Sequence, residues 1–504
     1  MLQGQIEARA ALAAGRAGVV WQRQIADTDT PIAAALKLIE PGRGDWILES
    51  VEGGETRGRF SLIGLDPDLM FEVRGDAARI NRRWRTSPDA FVADPAPALT
   101  ALRALVAECR FDVPADLPKA LAVLVGFFAY ESIGLVERLP RAGGAGLGLP
   151  DMLFVRPGVV LVFDRLADAL FLVAPVWPDG DADPDALVTA AAERIEATAA
   201  RLAGPVPASV RMATLPDPAS LTATAHTDGA RYAAMVAAAK DYIVAGDIFQ
   251  VVLSQRFSTP FPLPPLDLYR ALRRINPSPF LYFLDLPGFS LIGSSPEILV
   301  RVRDGQITIR PIAGTRPRGR TAAEDIANRD SLLADPKERA EHLMLLDLGR
   351  NDVGRAAVGG SVTVTDSYTV EFYSHVMHIV SNVVGRIAPG KDAIDALFAG
   401  FPAGTVSGAP KVRACEIIAE LEADARGPYA GGVGYFSPDG NLDSCIVLRT
   451  AILKDGIMHV QAGAGIVADS DPAYEQRECE AKAGALFAAA REAVRLAGEA
   501  GYGQ

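Results

Sequence analysis

Gly463-Ala464-Gly465-Ile466-Val467-Ala468-Asp469-Ser470-Asp471-Pro472-Ala473-Tyr474-Glu475-Gln476-Arg477-Glu478-Cys479-Glu480-Ala481-Lys482 reads as the end of a strand, a turn and the start of a helix. Asp471 is a good N-cap and Pro472 a good first helical residue: the carboxylate accepts a first-turn amide, and proline has no N–H to leave unpaired there. Glu475 and Glu478 stand three apart, so their carboxylates share one helical face. The glycines at 463 and 465 let a ligand approach the backbone where a Cβ would block it. With Lys482 one turn beyond Glu478, the stretch describes a site for an anionic ligand bridged to a divalent cation.

A second stretch, Asp335-Pro336-Lys337-Glu338-Arg339-Ala340-Glu341-His342, has the same form. Either glutamate pair alone is ordinary helix-start chemistry. Glu338 stands where a capping-box glutamate belongs, and acidic residues suit a first turn through the helix dipole. Two such pairs, one beside a glycine turn, favour more than capping. Four facing carboxylates repel unless a cation lies between them. Magnesium fits best, because it takes oxygen ligands and keeps several waters.

Further out, short strands with hairpin-length connections dominate. Strands are predicted at 46–50, 60–64, 70–73, 77–80, 159–163 and 169–173 in the first part. Others follow at 247–256, 280–285, 290–293, 298–302, 307–311, within 368–384, and at 431–436, 445–454 and 458–462. Helices are predicted at 30–39, 96–107, 185–202 and 229–245, the last from the helical spacing of Tyr232, Met235, Ala239, Tyr242 and Ile243. The expectation is an α+β fold (an α/β sandwich), with large antiparallel sheets packed as a two-sheet core and helices on the outside. The proline-rich run after 204 places a linker at 204–225, between an N-terminal region (1–203) that contributes to the core and a domain (226–504) that holds the site.

The 504 residues, 49% of them hydrophobic, can bury a large core. Sixty-two acidic against fifty basic residues leave a net charge of −12, without the basic footprint of a nucleic-acid binder. Cys109, Cys415, Cys445 and Cys479 show no metal-type spacing, which predicts a reduced, cytoplasmic chain. The most apolar run, 120–130, is far shorter than the ~20 residues of a membrane span and reads as a buried strand. Glu7 and the lack of a long apolar segment argue against a signal peptide.

Four motifs name a family. Ile309-Arg310-Pro311-Ile312-Ala313-Gly314-Thr315-Arg316-Pro317-Arg318-Gly319, Gly293-Ser294-Ser295-Pro296-Glu297, Phe401-Pro402-Ala403-Gly404-Thr405-Val406-Ser407-Gly408-Ala409-Pro410-Lys411 and the C-terminal block resemble the chorismate-utilising enzymes from about residue 231 to the end. The nearest branch is the large (component I) subunit type that makes anthranilate, and a weaker resemblance covers roughly residues 25–175. Two positions support that branch. Relatives that add water carry a lysine where this chain has Gln250, and aminodeoxychorismate synthases typically carry one where it has Ala313. Ammonia needs no base to activate water, and without an amine at 313 no covalent route is available there.

The resemblance implies amination of chorismate at C2 as the C4 hydroxyl leaves, then pyruvate elimination to anthranilate. It implies Mg2+ with Glu341 and Glu478 as direct ligands, and Glu338 and Glu475 acting through water or positioning the others. Glu297 matches the general acid, Thr405 a family ligand contact counted with the catalytic residues, and His378 the histidine of the elimination step; His375, three residues earlier in the chain, would face the other side of a continuous strand. Arg449, Lys482, Tyr429 and the backbone amides of Gly314, Thr315, Gly463, Ala464 and Gly465 are the expected substrate contacts. Ser50 with Pro279, Phe280 and Leu281 resembles a tryptophan feedback site. No nucleophile-elbow cysteine is visible, so glutamine use implies a separate amidotransferase subunit (component II) and a hetero-oligomer. Lys411 is read as an exposed first-turn residue. The competing readings are an aminodeoxychorismate synthase, a synthase that stops at the aminated intermediate, and a catalytically silent tryptophan sensor.

Overall fold

The computed structural model describes residues 1–52, 56–144, 146–180, 182–207, 215–373 and 376–499. Two antiparallel sheets, each of twelve strands among the described residues, carry the fold. Both draw strands from both sides of the 204–225 segment. In the first sheet, five N-terminal strands end at Asp45–Glu52, which pairs with Phe280–Leu286. In the second, Leu124–Phe128 pairs with Gly432–Phe436. The two halves are therefore stitched by main-chain hydrogen bonds along two seams.

The predicted α+β arrangement is the one observed, with helices such as Pro184–Ala203, Pro336–Ala356 and Pro472–Ala497 against the sheets. The apolar run at 120–130 contains the buried strand Leu124–Phe128. Phe127 meets Phe289 of the other sheet edge-on at 5.9 Å, while Phe128 meets Phe398 of the helix Ala393–Gly400 at 5.9 Å. A strand covered on both faces needs no polar alternation, which is why its sequence reads as continuous apolar residues. Among the described residues, no helix is long and apolar enough to cross a membrane. All four cysteines are buried and free.

Three readings of the sequence are corrected. The predicted strand 445–454 is two strands in different sheets: Leu442–Ile446 belongs to the second and Thr450–Lys454 to the first. Arg449, at φ 48°, makes the turn between them. The single strand expected within 368–384 is a hairpin, Thr363–Phe372 with Val376–Arg386. Ile312–Pro317, expected only as a motif, is itself a strand. His375 and residues 53–55, within the stretch predicted as a glycine-rich turn, lie outside the described residues, as does 208–214 of the predicted linker.

The sheet switch at Arg449 has a counterpart. Phe289–Ser295 lies in the first sheet and Ile298–Arg303 in the second, with Pro296 and Glu297 between them. The two crossings run side by side: the Ser294 N–H donates to the Arg449 carbonyl at 3.2 Å, and the Ile446 N–H donates to the Glu297 carbonyl at 3.0 Å. Two residues at these crossings are the expected acid and the expected guanidinium.

Candidate active site

Glu297 is buried at its crossing, and Thr405, on the short turn Gly404–Val406, is its side-chain partner, donating toward Oε1 at 3.1 Å and Oε2 at 3.2 Å. Burial without a cationic neighbour pushes the carboxyl up to about 8, and the Thr405 bond only partly opposes this. A carboxylic acid in such a place stays protonated at neutral pH and can donate a proton.

His378 lies on Val376–Arg386, opposite Thr315 of Ile312–Pro317. A bulge at Gly314, at φ 76°, turns that carbonyl toward the ring. His378 Nδ1 is 3.1 Å from the Gly314 carbonyl and 3.0 Å from Thr315 Oγ1. A carbonyl only accepts, so Nδ1 carries the proton and Nε2 keeps the basic lone pair. Burial lowers the imidazole to about 4, which holds it neutral through the physiological range. The Tyr373 ring stands 5.4 Å away, edge-on.

No carboxylate among the described residues offsets the burial of Arg449, which lowers its guanidinium below the ordinary value. A half-buried, unneutralised guanidinium favours a bidentate anion. Tyr429 is buried, and its hydroxyl lies 2.8 Å from where a Cβ on Gly463 would stand, so that glycine is required by close packing.

Gly463, Ala464 and Gly465 belong to the strand Ile457–Ile466, which pairs with Gln250–Pro260. The Val252 N–H donates to the Ser407 carbonyl and the Ser254 N–H to Glu422, both away from that strand. Antiparallel pairs alternate, so Leu253 and Ala464 form the bonded pair, while the Gly463 and Gly465 amides face the other edge. That edge loses its strand neighbour beyond Val460. The Ala464 amide is therefore spent in the ladder, a correction to the expected donor set. Lys482 donates to the Gly463 carbonyl at 2.9 Å and pairs with Glu478 at 2.7 Å.

The four glutamates come from two helices. Asp335 caps Pro336–Ala356 by accepting from Lys337 N–H at 2.9 Å, and Asp471 caps Pro472–Ala497 by accepting from Tyr474 N–H at 2.8 Å. Both caps are as predicted. Glu338 does not close a capping box; it takes Arg316 at 2.8 Å, while Arg316 also holds Asp335 at 2.7 Å. Burial raises the Glu341 carboxyl, and Glu338 and Glu478 add to the rise. Burial raises Glu475 as well, with Glu478 adding. Among the described residues, no three His, Cys, Asp or Glu side chains close into a ready-made metal cage. Hard oxygen donors on two helices nevertheless fit magnesium, which completes its octahedron with waters and ligand oxygens.

Two buried ion pairs escaped the sequence reading. Arg426 and Glu422 form an ion pair only 1% and 4% exposed. Arg426 also donates to the Val406 carbonyl at 2.8 Å and the Val252 carbonyl at 2.7 Å, and its guanidinium lies 5.6 Å from the Tyr429 ring centroid. It thereby ties together the segments bearing Thr405, Tyr429 and the Gln250 strand. Lys411 is not exposed; it pairs with buried Asp352 at 2.9 Å. Charge and spacing gave no signal for either pair: Asp352 and Lys411 are 59 positions apart, and Glu422 and Arg426 lie in the irregular segment after the helix Lys411–Leu421.

At the seam of the first sheet, Ser50 stands directly opposite Phe280, and Glu49 opposite Leu281. Glu49 is buried under Arg273, at 2.9 Å, and Tyr269, at 2.7 Å. The expected regulatory pieces from the two halves thus lie on neighbouring strands.

The chorismate-binding enzyme family matches residues 52–488. Anthranilate synthase component 1 of Cereibacter sphaeroides is 51% identical, covering 97% of this chain and 98% of that protein. The chain belongs to the anthranilate synthase component I family of chorismate-binding enzymes. Anthranilate synthase component 1 of Thermus thermophilus is 46% identical over 92% of this chain and 96% of its own length. Among solved structures, anthranilate synthase component I from Streptococcus pneumoniae aligns at TM-score 0.74 and 36% identity, covering 92% of this chain and 99% of that one. The isochorismate synthase MenF of Escherichia coli shares the fold at TM-score 0.70 and 18% identity, covering 97% of this chain and 100% of its own. The family accounts for an enzyme of the anthranilate synthase type built on two large sheets.

Proposed function

We propose that this chain is a Mg2+-dependent anthranilate synthase large subunit that aminates chorismate with ammonia, eliminates pyruvate to give anthranilate, and is inhibited by tryptophan. The observation that carries the reading is the pairing of a neutral buried acid, Glu297, with a neutral histidine, His378, whose proton is pinned on Nδ1. Hydroxide is a poor leaving group; Glu297 donates the proton that lets the C4 hydroxyl depart as water. His378 Nε2 is placed to take the proton whose loss accompanies pyruvate elimination and aromatisation. Arg449 and the Gly463 and Gly465 amides receive carboxylate oxygens, and Tyr429 packs beside them. Glu341 and Glu478 would hold Mg2+, with Glu338 and Glu475 positioning them; bound there, the ion polarises the ring carboxylate. A separate glutamine amidotransferase subunit supplies ammonia, and free ammonium replaces it.

The test is to mix the chain with chorismate, Mg2+ and an ammonium salt and to follow anthranilate fluorescence beside pyruvate release. Equal appearance of both is expected. Chorismate loss without pyruvate identifies a synthase that stops at the aminated intermediate, and no chorismate loss with tryptophan binding intact identifies a silent sensor.

A further inference from the structure

Behind Glu297 lies a cavity of ≈ 30 Å³ whose lining includes Thr405, Ile309, Leu345, Leu348 and Asp352. One water needs roughly 10–15 Å³ by this measure, so the space takes one or two. Its wall is mostly apolar, and Glu297 and Asp352 are the titratable groups among the described residues that line it. Asp352, on Pro336–Ala356, is 4% exposed. Its Oδ2 takes Lys411 Nζ at 2.9 Å, and its Oδ1 is buried without a hydrogen-bond partner. Asn351 offers the carboxylate a side-chain hydrogen bond and Arg355 a nearby positive charge, and both favour its ionised form. An unsatisfied buried carboxylate oxygen is costly unless water reaches it, and this cavity is where water would do so.

The first half-reaction creates a need at this place. Glu297 gives its proton to the departing hydroxide, which leaves as water, while the attacking nitrogen sheds one proton. The half-reaction balances, but Glu297 is left as a buried anion that must be reprotonated before the next turnover. Thr405 exchanges only its own hydroxyl proton, and the apolar wall carries none.

We propose that Asp352 returns the proton to Glu297 through water held in this cavity, with Lys411 fixing the carboxylate for the transfer. A solvent proton binds Asp352 Oδ1, passes to a cavity water as that water gives one of its own to Glu297, and leaves Asp352 ionised again; no other bond is made or broken. Burial raises the Asp352 carboxyl above its ordinary value, while Lys411, Arg355 and Asn351 oppose the rise. Asp352 acts through water and Glu297, as a positioning and relay residue, and the inference rests on Glu297 being the acid of the reading above.

Rapid mixing of the full chain with Mg2+, chorismate and ammonium, followed by anthranilate fluorescence, separates loading from reloading. Asp352→Asn, whose amide cannot carry the proton, is expected to complete its first turnover at the wild-type rate. It should then turn over at least about tenfold more slowly, leaving a burst of one anthranilate per site with the KM for chorismate unchanged. The charge-balanced Asp352→Asn/Lys411→Met pair should give the same burst, which guards against loss of the fold around an unpaired lysine. A first turnover slowed as much as the later ones, or an unchanged steady rate, overturns the relay. Glu297→Gln tests the underlying reading separately: it should lose the first turnover itself.

Discussion

At the scale of single residues, the site works by withholding charge. Glu297 is protonated because it is buried beside a hydroxyl rather than a cation, and His378 is neutral because burial outweighs its bond to a carbonyl. Turnover should therefore fall as pH rises through about 8, where Glu297 loses its proton, and a pH profile of kcat/KM checks this. Glu297→Gln should bind chorismate and lose turnover; a near-normal rate would remove the residue from the mechanism. Stability should follow the same proton. An unfolded glutamate titrates near ~4.3, so between there and about 8 the folded chain holds a proton that the unfolded chain has lost. Stability then falls as pH rises through that window, and the urea midpoint of the wild type should drop more between its two ends than that of Glu297→Gln. His378→Met should slow pyruvate release more than amination and let the aminated intermediate accumulate; unchanged anthranilate formation without the intermediate counts against the assignment. The sequence names these residue types through their motifs, but the burial that sets their protonation comes from strands far away in the chain.

Among the elements, the two sheet crossings and the two capped helices set the geometry. The caps were legible, because an Asp-Pro pair ahead of a helix acts through bonds within the next three residues. The crossing at Arg449 was not. The strands on either side have the same alternation and the same β-forming residues as one long strand, and nothing local marks a left-handed arginine. Arg426 was invisible for a related reason: its worth lies in the carbonyls of Val252 and Val406, which only the folded chain brings to it. Removing one partner of a buried ion pair typically costs ~3–5 kcal/mol. Arg426→Met should lose stability on that scale in urea unfolding, whereas Arg426→Met with Glu422→Leu should recover much of it.

Over the whole molecule, the two halves share both sheets, so a ligand at a seam would act on the same framework that carries the crossings at Glu297 and Arg449. The strand holding Phe280 and Leu281 is hydrogen-bonded to Phe289–Ser295, which leads into Glu297. Ser50→Phe should weaken tryptophan inhibition while leaving uninhibited turnover near wild type. An unchanged inhibition curve would move the regulatory site elsewhere.

Alternation, caps and turn residues by themselves determined that this chain makes antiparallel strands with capped helices outside, since each of those signals is a short-range interaction. The motifs, by their resemblance, named the family and supplied the candidate side chains of the site. Tertiary structure alone decided which strands changed sheets, which glycine amides remained unpaired, and which buried charges found partners. Those outcomes depend on hydrogen bonds and desolvation between residues up to hundreds of positions apart, for which a linear pattern carries no record.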